Sequence, residues 1–551
     1  MRPLCWNFGD LLDGVGAALP AGGLALAHGQ HRVTWADLRR RSNNLAAALL
    51  ARGASNGDRV AFYLRNGTSY IETLAACFKA RLVHVNVNYR YLDDELRYIL
   101  DDSDARIVVY SEEFADRIER VRGRLPGVLA HVQVGGSPAP FAEDFETLAE
   151  SGRGEPLRIE RSPDDLLFVY TGGTTGMPKG VMWRSGDLWG ALGAGRNAVA
   201  NGGVAPASPE AHIENVRRFG AAPAQIPACP LMHGTGLFTA IGNLTGGGSI
   251  VTLESLGFDP VELFDTVVRH RVGSVVIVGD AFARPMLKAL DENPGRWDLS
   301  SLRLIVSSGV MWSREVKAGL LAHHGGMLLM DAFGSSEAVG FGSSITTAGG
   351  GTRTAKFAIG ESCKVFTEDH REVVPGSGER GFIARSGPIP LGYHKDPKKS
   401  AEAFPVIAGV RWAMPGDWCT VEADGTLTLL GRGSVCINSA GEKVHPEEVE
   451  EAIKTHPDVE DALVIGLPDE RWGQAVTAVV QLRRGCTFDE EGLRAHVRGL
   501  LAGYKTPKRL VAVGRMFRAP NGKADYKAAA THAAAVLDAP AVPVPEPGPR
   551  R

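Results

Sequence analysis

What the chain lacks narrows its class first. It has no run of about 18 apolar residues, so no transmembrane helix is expected. Its 60 Lys and Arg are balanced by 63 Asp and Glu, for a formal net charge of −3. Without a basic excess nothing points to nucleic acid, and there is no acidic tail. The seven cysteines are scattered and odd in number, and none forms a CxxC pair. That pattern favours reduced thiols in a cytoplasmic protein over a disulfide framework or a zinc site. The first residues, Met1 to Asp10, have no charged head followed by a long apolar core, so a signal peptide is not expected. Internal repeats are absent.

At 551 residues the chain is too long for one ordinary core, and two or more domains are expected. The first 330 residues alternate short apolar runs with helical patterns. Val60 to Leu64 reads as a strand, Ser69 to Lys79 as a helix, Val83 to Val87 as a strand and Asp93 to Leu100 as a helix. The same alternation recurs from Ser274 to Ser307. Such βα alternation predicts parallel sheets with helices on their faces. Between about 355 and 430, short alternating segments separated by Gly, Pro and Asp predict a small antiparallel barrel. A compact α+β unit of about 100 residues follows from near Arg432. The fold class is therefore α/β. A large N-terminal domain, residues 1–431, holds two parallel-type βα sheets and a small β-barrel. A small α+β domain follows at 432–535, and a Pro-rich disordered tail at 536–551. The Gly-, Ala- and Pro-rich stretch from Asn201 to Pro227 reads as a long insertion loop.

The most informative stretch begins where the apolar run Leu166 to Tyr170, a buried strand, gives way to Thr171-Gly172-Gly173-Thr174-Thr175-Gly176-Met177-Pro178-Lys179-Gly180-Val181. Glycines let successive backbone N–H groups point into one concavity. Threonine hydroxyls and a lysine add donors and positive charge, which suits a polyphosphate. It is not a Walker A loop, because Gly-Lys-Ser/Thr is absent and proline precedes the lysine.

This longer pattern closely resembles the phosphate loop of the adenylate-forming enzymes: acyl-CoA synthetases, luciferases and peptide-synthetase adenylation domains. Six further segments resemble that family in the family's order, and with the loop they cover about residues 40 to 530. They are Pro230 to Gly234, Ser307 to Val310, Asp331 to Glu337, Trp412 to Asp417, Gly431 through Pro446, and Ala519 to Lys523. The resemblance implies that a carboxylic acid is joined to the α-phosphate of ATP and then passed to CoA, with Mg²⁺ as cofactor. Thr171, Gly172, Gly173, Thr174, Thr175, Gly176 and Lys179 would cradle phosphates. Ser308, Gly309, Asp331 and Phe333 would form the adenine end, with the base between Gly309 and Phe333, where the family more often has Tyr. Ser336 would donate to the α-phosphate. Glu337 would ligate Mg²⁺, which prefers one or two carboxylates plus phosphate oxygens. Asp417 would accept both ribose hydroxyls, and Arg432 would contact the ribose or phosphate end. His233 would sit at the mouth of the acyl pocket and orient the carboxylate. Lys523 follows the turn signal Asn521-Gly522 and matches the family's mobile catalytic lysine. After adenylation the small domain would rotate and bring Gly441 beside the pantetheine channel. The pivot lies just after Arg432, with Ser434 where the family usually has Asp or Lys.

Several phrases narrow the resemblance, among them Val85-Asn86-Val87-Asn88-Tyr89-Arg90-Tyr91 and Val278-Gly279-Asp280-Ala281-Phe282. They look like the actinobacterial ligases that act on steroid side-chain carboxylates. Small residues on expected pocket segments (Gly234, Gly236, Gly242, Gly246, Gly247, Gly248, Ala281, Gly340) fit either a wide cavity or tight turns. Arg81 stands where relatives more often have a small residue. Three alternatives stay open: a general medium- or long-chain acyl-CoA ligase, an adenylating enzyme that hands its acyl group to a carrier protein or amine, and a nucleotide-binding protein without turnover. The sequence does not give the oligomeric state, and a homodimer is among the assemblies it leaves open.

Overall fold

The computed structural model describes residues 4–171, 178–193, 204–309, 312–350, 356–360, 362–432, 437–439, 442–444, 446–469, 472–501, 503–519, 522 and 524–538. The chain divides into two compact units, residues 1–415 with 421–427, and residues 416–420 with 428–551.

In the first unit, period-two alternation sets the layers. Within strand Arg59–Tyr63, Val60 and Phe62 enter one apolar cluster, while Ala61 and Tyr63 enter another. Strand Leu166–Thr171 divides its residues the same way, Leu167 and Val169 against Phe168 and Tyr170. Successive side chains of a strand point to opposite faces, so this sheet is buried on both, as parallel sheets are. Strands Leu166–Thr171, Val83–Asn86, Arg59–Tyr63, Ala105–Ser111, Ala130–Val134 and Glu143–Asp144 run parallel in that order. Lys179–Arg184 and then Gly392–Tyr393 add antiparallel strands at one edge. A second sheet has a parallel centre in the order Leu328–Phe333, Leu304–Ser308, Ser274–Ile277, Gln225–Pro227, Ile250–Thr252, Leu24–His28.

One apolar cluster draws on both sheets, with Leu26 and Val33 from one and Phe62 and Trp183 from the other. It also takes residues from helices Phe8–Ala18, Trp35–Ala51, Thr68–Ala80 and Gly234–Thr245. A helical layer therefore lies between the sheets. Helices Pro260–His270, Asp280–Glu292 and Arg314–His323 cover the outer face of one sheet. Asp93–Asp102 and Ala115–Arg122 cover the outer face of the other, which completes five layers.

Two expectations change. The stretch from Asn201 to Pro227 is not simply a loop, because it contains helix Pro209–Phe219 and strand Gln225–Pro227. Ser208 caps the helix by accepting from Ala211 N at 3.2 Å, and proline occupies its first turn. His212, Ile213 and Val216 are buried at helical spacing. Flanking Ala, Gly and Pro hid that short stripe in the sequence. The segments expected to form a barrel are antiparallel, with Lys356–Ile359 on Gly342–Thr346 and Cys363–Phe366 on Arg380–Arg385. Among the described residues they do not close into a barrel.

Arg81 also finds its reason. It ends helix Thr68–Ala80 in the left-handed conformation, at φ 60°, which is strained for a residue with a Cβ. Its guanidinium donates to Asp165 Oδ1 at 2.9 Å and to Glu160 O at 2.9 Å. The arginine thus clips down the segment that leads into strand Leu166–Thr171.

The second unit packs strands Ile437–Ser439, Glu442–Val444, Gly473–Leu482, Val459–Asp469 and Arg509–Val513 in one sheet. Ala462 and Val464 face helices Pro446–Lys454 and Glu490–Leu500. Leu463, Ile465 and Leu467 face helix Tyr526–Asp538. No helix among the described residues is long and apolar enough to cross a membrane.

Candidate active site

The phosphate-loop segment hangs from a β-hairpin: Thr171 pairs with Lys179 and Tyr170 with Gly180 in antiparallel register. Gly172, Gly173, Thr174, Thr175 and Gly176 lie outside the described residues. Their frame is well defined. A Cβ on Gly180 would come within 2.7 Å of the Tyr170 ring, so this motif glycine serves close packing. The Tyr170 hydroxyl donates to Asp102 at 2.7 Å.

Asn86 holds the frame from below. It is 4% exposed, and its amide accepts from Tyr170 N at 2.6 Å and donates to Tyr170 O at 2.9 Å and Met232 O at 2.7 Å. Met232 immediately precedes His233. The same segment is tied by Tyr70, whose hydroxyl reaches Leu231 O at 3.2 Å and His84 Nε2 at 2.9 Å. His84 Nδ1 lies 3.1 Å from Phe168 O. Asn66 donates to Cys229 O at 3.1 Å and accepts from Leu231 N at 2.8 Å. Burial drives the His84 imidazole down to about 3, so it stays neutral at ordinary pH. Asn66, Tyr70, His84 and Asn86 thus join the strand that bears the phosphate loop to the segment that bears His233. Sequence reading gave them no role. The signal was a polar residue inside the apolar strand Val85-Asn86-Val87, because a polar group buried on both faces must be hydrogen-bonded.

The other sheet contributes the ends of two adjacent parallel strands, Leu304–Ser308 and Leu328–Phe333, where Ser307 pairs with Asp331 and Ser308 with Ala332. Open α/β sheets bind ligands at such carboxyl ends. Gly309 is exposed, at φ 89°, and a Cβ there would lie 3.9 Å from Thr235 Oγ1 and from Val278. Phe333 is 8% exposed and packs on Phe341 and Phe357, each at 5.2 Å between centroids. The Asp331 carboxylate is engaged by Lys317, a fully buried ammonium that the sequence did not single out. Burial pushes the Asp331 carboxyl up, against the pull of Lys317.

Ser336 and Glu337 follow. The Trp183 indole, fully buried, donates to Ser336 O at 2.8 Å, and the space beside Gly234 opens on Ser336 Oγ. Glu337 is 7% exposed, and its Oε1 accepts from the Tyr393 hydroxyl at 2.9 Å. The Lys179 ammonium lies 5.1 Å from the centroid of that same Tyr393 ring. Burial lowers the Lys179 pKa, and the neighbouring Lys399 adds to the shift. Asp396 and Glu337 oppose that shift. His233 is half-buried and occupies the N-cap of helix Gly234–Thr245.

Among the expected pocket glycines, Gly236 is a packing residue, since a Cβ would lie 2.6 Å from Pro230 O. Gly248 abuts Asn243, and Gly247 sits at φ 79°, whereas Gly242 has open space beside it. In the second unit Asp417 is buried and opens strand Asp417–Val421. Lys523, Gly441, Ser434 and the Arg432 side chain lie outside the description.

Against known proteins, the AMP-binding enzyme family matches residues 17–394 and the AMP-binding enzyme C-terminal domain matches 448–523. The chain belongs to the AMP-binding enzyme family. It is 40% identical over 534 residues, 95% of each chain, to a 3-oxocholest-4-en-26-oate–CoA ligase of Rhodococcus rhodochrous. It is also 40% identical, over 95% of each chain, to a medium/long-chain-fatty-acid–CoA/3-oxocholest-4-en-26-oate–CoA ligase of Mycobacterium tuberculosis. ATP-bound MatB from Rhodopseudomonas palustris superimposes with a TM-score of 0.79 at 25% identity, covering 96% of this chain and 99% of that one.

Proposed function

We propose that this chain is an ATP-dependent carboxylate–CoA ligase that forms an acyl-adenylate and then an acyl-CoA thioester. The observation that carries the reading is the gathering of Lys179, Tyr393, Glu337 and Ser336 beside the phosphate-loop hairpin. Joining a carboxylate to a phosphate brings anions together, and cationic and hydrogen-bonding groups fixed in advance stabilise the charge that develops. In the first step a carboxylate oxygen attacks the α-phosphorus, the bond to the bridging oxygen breaks, and pyrophosphate leaves with the electron pair. In the second step the CoA sulfur, having lost its proton, attacks the acyl carbon, and AMP leaves.

Glu337 is the residue that would hold Mg²⁺. It is a buried carboxylate oriented by Tyr393, and among the described residues no cluster of three His, Cys, Asp or Glu stands ready for a metal ion. A single carboxylate fits an ion that takes most of its ligands from phosphate and water. When bound, that ion neutralises phosphate charge. Thr171, Lys179 and residues 172–176 would cradle the phosphates, and Ser336 would donate to the α-phosphate. Ser308, Gly309, Asp331 and Phe333 would form the adenine end, with Asp331 buttressed by Lys317. Asp417 and Arg432 would take the ribose end. His233 would orient the acid. Lys523 would bridge carboxylate and α-phosphate, carried by a mobile lid of residues 432–535, and Gly441 would admit pantetheine. A cytoplasmic setting fits the six free cysteine thiols among the described residues.

The acid is a bulky apolar carboxylate, with steroid side-chain acids ahead of straight chains. The reading leans on the two steroid-acid ligases at 40% identity. A rigid ring system buries much apolar area, at about 25 cal/mol per Å², with little loss of conformational freedom. A second reading, a general medium- or long-chain ligase, is favoured by the dual name of the mycobacterial relative and by a medium-chain acyl-CoA ligase of Mycobacterium avium at 37% identity. The test compares kcat/KM for a cholestenoate-type acid, palmitate and octanoate. The steroid acid is expected to lead, and a tenfold lead for either straight chain would hand the case to the second reading.

A further inference from the structure

The geometry points to Arg518, held by Asp461, as the positioning residue of the loop that carries Lys523. This rests on the reading of Lys523 as the lysine of the adenylation step.

Asp461 lies at a β-bulge in strand Val459–Asp469, where the register against Gly473–Leu482 shifts between Val459 and Asp461. A bulge re-aims a side chain, and here the carboxylate faces Arg518. Arg518 Nε and Nη2 donate to the two Asp461 oxygens at 2.5 and 2.7 Å. Ala462 N donates to Asp461 Oδ1 at 2.8 Å, fixing the carboxylate from its own backbone. The third face of the guanidinium is directed at the loop: Nη1 donates to Gly522 O at 3.1 Å, one residue before the lysine. One residue after it, Ala524 forms an antiparallel bridge with Arg518 itself. Gly522 N donates to Ala519 O at 2.8 Å with φ at 80°, a conformation that asks for glycine. Asp525 N then donates to Phe517 O at 2.9 Å, and Asp525 caps helix Tyr526–Asp538 through Ala528 N. Gly522, on one side of Lys523, is therefore held by a planar guanidinium that is itself locked bidentately to a strand, while Ala524, on the other side, is paired with the backbone of the same arginine. A planar fork does this, whereas a lysine ammonium at position 518 would be a point charge able to satisfy one partner at a time.

Such an anchor matters only where the lysine must arrive in register. A misplacement of about 1 Å costs roughly 100-fold in rate. The experiment measures both half-reactions, acid-dependent pyrophosphate release and thioester formation from supplied acyl-adenylate, in the full chain. The variants are Arg518→Ala, Arg518→Lys, Asp461→Asn, Lys523→Ala and the double variant Arg518→Ala/Lys523→Ala. Arg518→Ala is expected to lower adenylation kcat roughly 100-fold, leave the ATP KM within a few-fold, and spare thioester formation. Arg518→Lys and Asp461→Asn should fall between. In the Lys523→Ala background, removal of Arg518 should cost adenylation nothing further. Equal loss of both half-reactions across the three variants at Arg518 and Asp461, or additive loss in the double variant, would reduce Arg518 to general stabilisation and overturn the proposal. If Lys523→Ala itself spared adenylation, the reading of the lysine would fail and the positioning role with it. If Lys523→Ala abolished adenylation while Arg518→Ala spared it, the positioning role alone would fail.

Discussion

The frame that joins the phosphate-loop strand to the His233 segment in the first unit, and the loop before helix Tyr526–Asp538 in the second, are held by opposite kinds of buried polarity, although the first unit also buries the Lys317–Asp331 pair. In the first, Asn66, Tyr70, His84 and Asn86 are neutral and hold backbone groups. In the second, Asp461, Arg518 and Glu450 are ionisable, and Arg518 acts on both carboxyls. Burial drives His84 down to about 3, with no charged partner opposing it. Burial also pushes Glu450 up, to about 7, although Lys454, Arg518, the Val464 N–H and the Tyr526 hydroxyl all pull it down. A neutral network fixes one geometry at every working pH. A charged one can change with conditions, which would suit the mobile lid of the proposed function. The signs follow from linkage. His84 is depressed below its ordinary 6.5, so its contribution is full above pH 6.5 and is lost as pH falls toward 3. Glu450 is raised above its ordinary 4.5, so its contribution is full below pH 4.5 and is lost as pH rises through about 7.

The sharpest way to separate the units is by half-reaction. Lys523→Ala is expected to lower adenylation about 100- to 1000-fold, the cost of removing one donor from developing charge, and to leave thioester formation from supplied acyl-adenylate within a few-fold. Equal loss of both would erase the contrast. Glu337→Ala should lower adenylation about 100-fold with partial rescue by raised Mg²⁺. A collapse of the thermal midpoint without any metal effect would make Glu337 structural. Asn86→Ala strands Tyr170 N, Tyr170 O and Met232 O. It should cost about 3 kcal/mol of stability and, unlike Lys523→Ala, depress both half-reactions together.

Urea titrations across pH probe the next effect. His84→Gln should flatten the loss of stability between pH 6.5 and 4, and Glu450→Gln the loss between pH 4.5 and 7. Each limb is worth on the order of a few kcal/mol. Unchanged limbs would mean that other groups set the profile. The smallest effect is expected at Gly242, on the helix face shared with Thr235 and Thr239, where there is room for a side chain. Gly242→Leu should shift preference toward octanoate over a cholestenoate-type acid by about tenfold, the worth of a few buried methylenes.

The layer architecture was legible because strands buried on both faces and long helices leave strong periodic signals. Helix Pro209–Phe219 was not, since its buried stripe is only four residues, Pro209, His212, Ile213 and Val216, beside a Gly- and Ala-rich context. The residues proposed for the chemistry stood out as motifs, and Glu337 and Lys179 both lie against Tyr393. What supports them was not. Asn86 was visible as an oddity in a strand, but its three backbone partners come from segments 84 and 146 residues away. Arg81 looked anomalous until its ion pair with Asp165 appeared. Asp461 and Arg518 look like ordinary surface charges until a bulge turns one toward the other.

The central claim is that one protein carries out two chemically distinct steps, and the product balance tests it most directly. Purified chain given ATP, Mg²⁺ and a cholestenoate-type acid should release pyrophosphate to about one equivalent and hold the acyl-adenylate. Addition of CoA should then restore turnover, with AMP and thioester formed in equal amounts. Formation of ADP and phosphate, or pyrophosphate release that ignores the acid, would contradict the account.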